Sequence, residues 1–338
     1  MEQNKPKISR KKFLEICGSA IAGGSIIGVS AFLVHRNLTS PEKGFTGSPD
    51  FFSGDAFLSP YKPIASFTVP GSIESLELYG ENLIVATSSQ LYIYDQEGEL
   101  QNRFTIGNNL RDMAVEGDEI YLLFPSRIEV YNRDGSRVRE WEACSDESDY
   151  CSMTIAPGTV FVTDAFNKNI CKYTAEGSFV RFIQSPEGFI IPSYTFGIVY
   201  VDGLIYCSNS GRHKIEKYSV DGDYVGSFGK AGGAAGMFCG CCNPVHLAYT
   251  PTGEIITSEK GNPRISCYGA DGEFRSVLLD SKTLGGGNKA YDVKVMGDKL
   301  FITGKNKVSV FQYDAVTAAR TACSSCKGNC PLRKSFGA

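Results

Sequence analysis

Histidine is scarce in this chain. Among 338 residues there are three, His35, His213 and His246. No Ser/His/Asp triad, phosphate loop or paired-carboxylate motif stands out, so no catalytic residue can be assigned from motif. Gly232-Gly233 and Gly285-Gly286-Gly287 precede no helical pattern, which makes them loops rather than phosphate cradles. A basic field is also lacking. Net charge is −3 and the pI is about 5.8, which leaves nothing for nucleic acid to recognise. Two features are present in excess: 12 cysteines and a recurring hairpin.

The hairpin is clearest in Ile215 to Phe228. Apolar and polar residues alternate from Ile215 to Tyr218, the period of a half-buried strand. Asp221-Gly222 supplies the turn, and a second strand runs to Phe228. Copies lie at Ile93–Phe104, Ile128–Trp141, Ile170–Phe182 and Ile265–Val277, with a partnerless sixth at Val308–Phe311. The anchors Tyr94, Tyr131, Tyr173, Tyr218, Tyr268 and Phe311 are separated by 37, 42, 45, 50 and 43 residues. A period of ~40–50 with several strands per repeat is that of a propeller blade. A further strand pair precedes each copy, which gives four strands per blade. Ile64–Pro70 resembles the outer strands and supplies the missing partner. The predicted fold is therefore all-β, a six-bladed β-propeller closed by an N-terminal strand, which removes the open edge.

These hairpins resemble the NHL-repeat β-propellers over residues 64–313. Asn209 to Ile215 is the nearest fit to that family's Asn/Arg/Ile turn, and Phe238 with Pro244 to Ala248 resembles its blade start. Ser88-Ser89-Gln90 and Pro125-Ser126-Arg127 lack the polar turn. The resemblance implies the fold; enzymes, sensors and scaffolds all use it.

Residues 1–36 read as an export signal or membrane anchor. Lys5, Lys7, Arg10, Lys11 and Lys12 form a basic head, and residues 16–34 carry no charge. Ser9 to Leu14 resembles a twin-arginine signal with Lys11 in the second arginine position; the general secretory route is the alternative. The twin-arginine resemblance implies export of a folded protein, often with its cofactor inserted. Residues 37–60 form a flexible linker, 61–313 the propeller and 314–338 a cysteine-rich tail. The expected location is periplasmic or cell-surface, with the membrane as a partner through the N-terminal segment.

The cysteines fall into groups. Cys171, Cys207 and Cys267 lie in strands as small apolar residues. Cys144 and Cys151 flank a short acidic loop, where a local disulfide is expected in an oxidising compartment. Cys239, Cys241 and Cys242 follow a Gly-rich insertion, on the equivalent loop at one channel mouth. The tail holds Cys323, Cys326 and Cys330, whose gaps of two and three residues let three thiolates converge. The following Pro331 resembles a ferredoxin loop. An odd number of thiols argues against a self-contained knot. The tail thus supplies three ligands to an iron–sulfur cluster, with Cys239, Cys241 or Cys242 as the source of the fourth; zinc and disulfides are the other readings. His246, four residues after Cys242, is a further metal-ligand candidate or a channel-lining residue. His213 is expected in an exposed turn. Glu259 and Arg264 read as a solvated ion pair. The leading functional reading is an exported redox module carrying a cysteine-ligated site. The others are a disulfide-stapled scaffold for a protein or glycan partner, and a hydrolase or lyase acting in the channel.

Overall fold

The computed structural model describes residues 59–318. The expected export segment, all but the last residues of the linker, and Cys323, Cys326 and Cys330 lie outside them. Among the described residues no helix is long and apolar enough to cross a membrane.

Six four-stranded antiparallel sheets stand in a ring. The chain begins with β1 (Tyr61–Thr68). Blade 1 is β2 (Ile73–Tyr79), β3 (Asn82–Thr87), β4 (Gln90–Tyr94) and β5 (Leu100–Thr105). Blade 2 is β6 (Asp112–Glu116), β7 (Glu119–Phe124), β8 (Arg127–Asn132) and β9 (Arg137–Glu142). Blade 3 is β10 (Tyr150–Ala156), β11 (Thr159–Asp164), β12 (Asn169–Thr174) and β13 (Phe179–Ile183). Blade 4 is β14 (Ile198–Val201), β15 (Leu204–Asn209), β16 (Lys214–Ser219) and β17 (Tyr224–Phe228). Blade 5 is β18 (His246–Tyr249), β19 (Ile255–Glu259), β20 (Arg264–Tyr268) and β21 (Phe274–Leu279). Blade 6 holds β22 (Val293–Met296), β23 (Lys299–Thr303) and β24 (Lys307–Tyr313), and β1 completes it by pairing with β24 from Tyr61–Tyr313 to Thr68–Lys307.

The recurring turn explains why the sheets assemble into a ring. Gly98 has φ +88°, a left-handed conformation that favours glycine. A Cβ there would lie 2.6 Å from the Phe67 ring of β1, so absence of a side chain also admits the neighbouring blade. Gly135 meets Phe104 of blade 1 in the same way. The same outer-strand aromatic covers the third-strand tyrosine of the next blade. Phe67 reaches Tyr94 at 4.8 Å, Phe104 reaches Tyr131 at 6.1 Å and Trp141 reaches Tyr173 at 6.2 Å between ring centroids. Burying each such ring contributes roughly 1.5–3 kcal/mol. Phe67 thus does for blade 1 what Phe104 does for blade 2, which identifies β1 as the outer strand of blade 6 in packing as well as in hydrogen bonding.

On the inside, side chains tie the blades together. Asp112 at the start of β6 accepts from Ser75 Oγ of blade 1 at 2.9 Å, and from Ser152 Oγ and the Met153 N–H of blade 3 at 2.6 and 3.0 Å. Asp292, just before β22, accepts from the Leu76 N–H at 2.8 Å. Buried backbone donors at the start of the inner strands are satisfied in this way.

Candidate functional site

The innermost strands enclose a central cavity of about 460 Å³. His246, the first residue of β18, lines it, as do Asp112, Glu77 and Lys294. Lys294 Nζ donates to Glu77 at 2.7 Å. Burial pushes the carboxyls of Glu77 and Asp112 up, with Lys294 offsetting part of the effect on Glu77. At the mouth where outer strands hand over to inner strands, His246 and Asp292 share a recess with Glu74, Arg111, Cys151 and Tyr194. The sequence carried a signal for this ring that alternation alone does not reveal: Arg111-Asp112-Met113-Ala114-Val115 and Tyr291-Asp292-Val293-Lys294-Val295 place an aspartate at the same point of two inner strands.

The loop bearing Cys239, Cys241 and Cys242 is fixed by its neighbours. Asn243, buried, donates from Nδ2 to the carbonyls of Cys239 and Lys260 at 2.6 and 2.9 Å, and its Oδ1 accepts the Lys260 N–H at 2.9 Å. His213 Nε2 meets the Gly240 carbonyl, so this histidine sits in the blade turn as expected but is half-buried and clasps the loop. The Gly-rich lead is pinned too. Phe238 is buried against Tyr268, and Arg264 donates to the carbonyls of Ala234 and Met237. Arg264 also grips Glu259 with two hydrogen bonds of 2.6 and 2.9 Å. The expected solvated pair is therefore a buried one; its surroundings are the insertion, which no turn-level pattern reveals.

Within the loop, Cys239 is half-buried, Cys241 exposed and Cys242 buried, all as thiols. Cys241 Sγ and Cys242 Sγ lie 3.7 Å apart. Burial raises Cys242, and the Lys260 ammonium works against that rise. Burial also raises Cys239. Among the described residues these thiols and His246 do not gather into a group of three donor atoms.

The group that does gather was not expected. Cys144, Asp164 and Cys171 place three donor atoms within 4.8 Å of one another in the buried interior. Cys144 and Cys171 sulfurs are 3.1 Å apart. Cys151 turns instead to the Asp149 carbonyl, so the expected Cys144–Cys151 disulfide is replaced by a Cys144–Cys171 pairing across two elements. Successive residues of β10 face opposite sides of the sheet, so Tyr150 packs with Cys144 while Cys151 packs in the neighbouring cluster. Cys207 and Cys267 are buried in strands as expected.

Asp164 is already engaged. Its Oδ1 accepts the N–H groups of Asp149, Phe166 and Asn167, and its Oδ2 accepts Asn167 Nδ2 at 2.8 Å. Thiolates on a tetrahedral metal stand about 3.8 Å apart, from metal–sulfur bonds of about 2.3 Å. The Cys241–Cys242 spacing matches that edge and the Cys144–Cys171 spacing is too short for it. Around the buried pair, the Cys144 N–H donates to Tyr150 Oη at 3.0 Å, and Tyr150 Oη bonds Tyr173 Oη. Hydrogen bonds from Cys171, then from Tyr150 and Tyr173, lower the Cys144 thiol to about 7, while burial pushes Cys171 well up.

Comparison with known proteins supports the architecture. No protein-family model matches the chain, and a search of curated proteins finds no relative. Among solved structures, virginiamycin B lyase from Staphylococcus aureus aligns at 11% identity with a TM-score of 0.52, covering 75% of this chain and 99% of that one. A protein from Bacteroides thetaiotaomicron aligns at 11% identity and a TM-score of 0.54, covering 75% of this chain and 74% of that one. At such identity the shared property is the propeller fold.

Proposed function

We propose that this protein is an exported, membrane-associated NHL-type propeller whose Cys239–Cys242 loop holds a thiolate-ligated metal centre, and that it acts as an electron-transfer or redox accessory module. The observation that carries the reading is the 3.7 Å spacing of Cys241 and Cys242 on a loop clamped by Asn243 and His213. Two thiolates at that spacing can share one metal atom. An iron–sulfur cluster in which each iron takes two thiolates satisfies this, and so does a single zinc. Cys239 is the third loop ligand, and one of the tail thiols Cys323, Cys326 and Cys330 completes a set of four. Lys260 beside Cys242 offsets the negative charge that gathers on such ligands. The twin-arginine-like segment supports export after cofactor insertion. The lyase activity named for the Staphylococcus aureus protein is not carried over, because the likeness is one of fold.

The test is metal and sulfide analysis of the full chain prepared without oxygen, with its visible absorption spectrum. Iron with sulfide and a broad band near ~400 nm supports the cluster. Zinc in a colourless protein keeps the thiolate site and removes electron transfer. Metal-free protein, with Cys239, Cys241 and Cys242 all open to alkylation, overturns the reading.

A further inference from the structure

In blades 2, 3 and 4 the start of the preceding outer-to-inner loop faces the third strand, and the same two positions lie opposite each other there. In blade 4 they are Ser185, two residues after β13, and Glu216, third in β16; Ser185 Oγ donates to Glu216 Oε1 at 2.9 Å. In blade 2 they are Gly107, two residues after β5, and Glu129, third in β8. A Cβ on Gly107 would meet the Arg127 guanidinium at 2.4 Å, and Arg127 Nε donates to Glu129 at 2.6 Å, so the arginine fills the space that Ser185 fills in blade 4. In both blades a tyrosine two residues on, Tyr131 or Tyr218, donates to the glutamate. In blade 3 the two positions are Cys144, two residues after β9, and Cys171, third in β12. The carboxylate and its partner are there replaced together by thiols, 3.1 Å apart, and Tyr173 turns to Tyr150 instead.

We propose that Cys144 and Cys171 are a redox-active dithiol that closes to an intramolecular disulfide on reaction with a small-molecule disulfide, fastening the β9–β10 loop to blade 3. The pair is asymmetric in the way this chemistry needs. Cys144 keeps 9% of its surface in solvent and Cys171 none, so Cys144 is the sulfur an outside disulfide meets first. Its thiolate attacks one sulfur of the small disulfide, forming a mixed disulfide and releasing one small thiolate. Cys171 then loses its proton and attacks Cys144 Sγ, which breaks the mixed bond and releases the second small thiolate. The two cysteines give up two electrons and two protons, and the small disulfide becomes two thiols. The consequence reaches the channel mouth. The fastened loop ends in Asp149, whose carboxylate faces Arg111 at 3.6 Å.

The test uses the full chain treated with oxidised glutathione, or with dithiothreitol, then denatured in iodoacetamide, digested and mapped by mass spectrometry. The expected result is a species joining the Cys144 and Cys171 peptides, two hydrogens lighter than their sum, present after glutathione and absent after dithiothreitol. Alkylation of both cysteines in the oxidised sample overturns the proposal, as does linkage of Cys144 to Cys151. Zinc that shields both thiols from oxidation in wild type and in Cys242→Ser also overturns it, since the group would then be a metal site. The peptide map is read on the wild-type chain, so the outcome does not depend on a cysteine variant folding.

Discussion

Two cysteine pairs involve outer-to-inner loops of this propeller, one against blade 3 and one entering blade 5, and their surroundings differ in ways that govern sulfur chemistry. Cys144 and Cys171 come from elements 27 residues apart, lie in the interior, and touch hydroxyls and each other. Cys241 and Cys242 are adjacent, the first exposed and the second buried, and Cys242 lies beside an ammonium. The first pair is closer than two thiolates on a tetrahedral metal, and its nearest carboxylate is fully occupied by N–H donors. The second pair has the spacing of a metal edge, and neighbours in sequence do not readily bond each other. Covalent closure suits the first and metal binding the second.

The largest effect that separates them is on metal content. Cys242→Ser should reduce bound metal from about one centre per chain to background, because a missing thiolate leaves a site one donor short. Cys144→Ser should leave metal content unchanged. Equal metal loss in both variants, measured on folded protein by elemental analysis, breaks the division between the pairs.

Next in size is stability. Closing a loop of 27 residues should stabilise the fold by about 3.5 kcal/mol on the chain-entropy estimate, which corresponds to roughly 6–7 °C in thermal midpoint for a domain of this size. The oxidised full chain should therefore melt higher than the reduced one, and Cys171→Ser should abolish that difference. Oxidation that leaves the midpoint of the wild type unmoved would show that the native geometry is strained by the bond. Persistence of the gap in Cys171→Ser would assign it to other cysteines.

How much of this could be read beforehand differs between the two pairs. The ring itself was legible, since the turn glycines, the third-strand tyrosines and the orphan strand 64–70 all repeat at blade spacing. The Cys239–Cys242 loop was legible as a cluster because its members are close in sequence. Cys171 was legible only as a strand residue. Its partnership with Cys144 arises because a loop from one blade lands on the third strand of the next, a contact set by ring closure. Aligning Ile128-Glu129-Val130-Tyr131 and Ile215-Glu216-Lys217-Tyr218 with Ile170-Cys171-Lys172-Tyr173 carries the hint, since cysteine stands where two other copies hold glutamate. Burial of Arg264 was not legible, because the insertion it pins has no repeat to compare with.

A smaller effect concerns Lys260. Metal binding must displace the Cys242 proton, which burial holds on and the ammonium helps to release. Lys260→Gln should weaken zinc binding by about tenfold near pH 7, corresponding to about 1.4 kcal/mol. The same change should leave the rate of Cys144–Cys171 oxidation untouched. An unaltered dissociation constant would remove Lys260 from the account of the site.

The smallest effect is also the most specific to the buried pair. Its oxidation begins with the Cys144 thiolate, so the rate should rise with pH through a midpoint of about 7, the value to which the surrounding donors lower this thiol. The direction follows from the charge: below the midpoint the sulfur carries its proton and is a poor nucleophile, and above it the thiolate predominates. The hydroxyl of Tyr173 is one of those donors and also orients Tyr150. Tyr173→Phe keeps the ring that Trp141 covers and deletes only the oxygen. With one fewer donor the thiolate is less favoured, and the midpoint should move up by about half a unit, slowing oxidation near pH 7 by about two- to threefold. Rates measured with oxidised glutathione from pH 6 to 9, followed by the fraction of linked peptide, give both numbers. A midpoint that stays in place would mean that Cys171 and Tyr150 set the acidity of Cys144 without Tyr173, whose hydroxyl would then be packing rather than part of the thiol's chemistry.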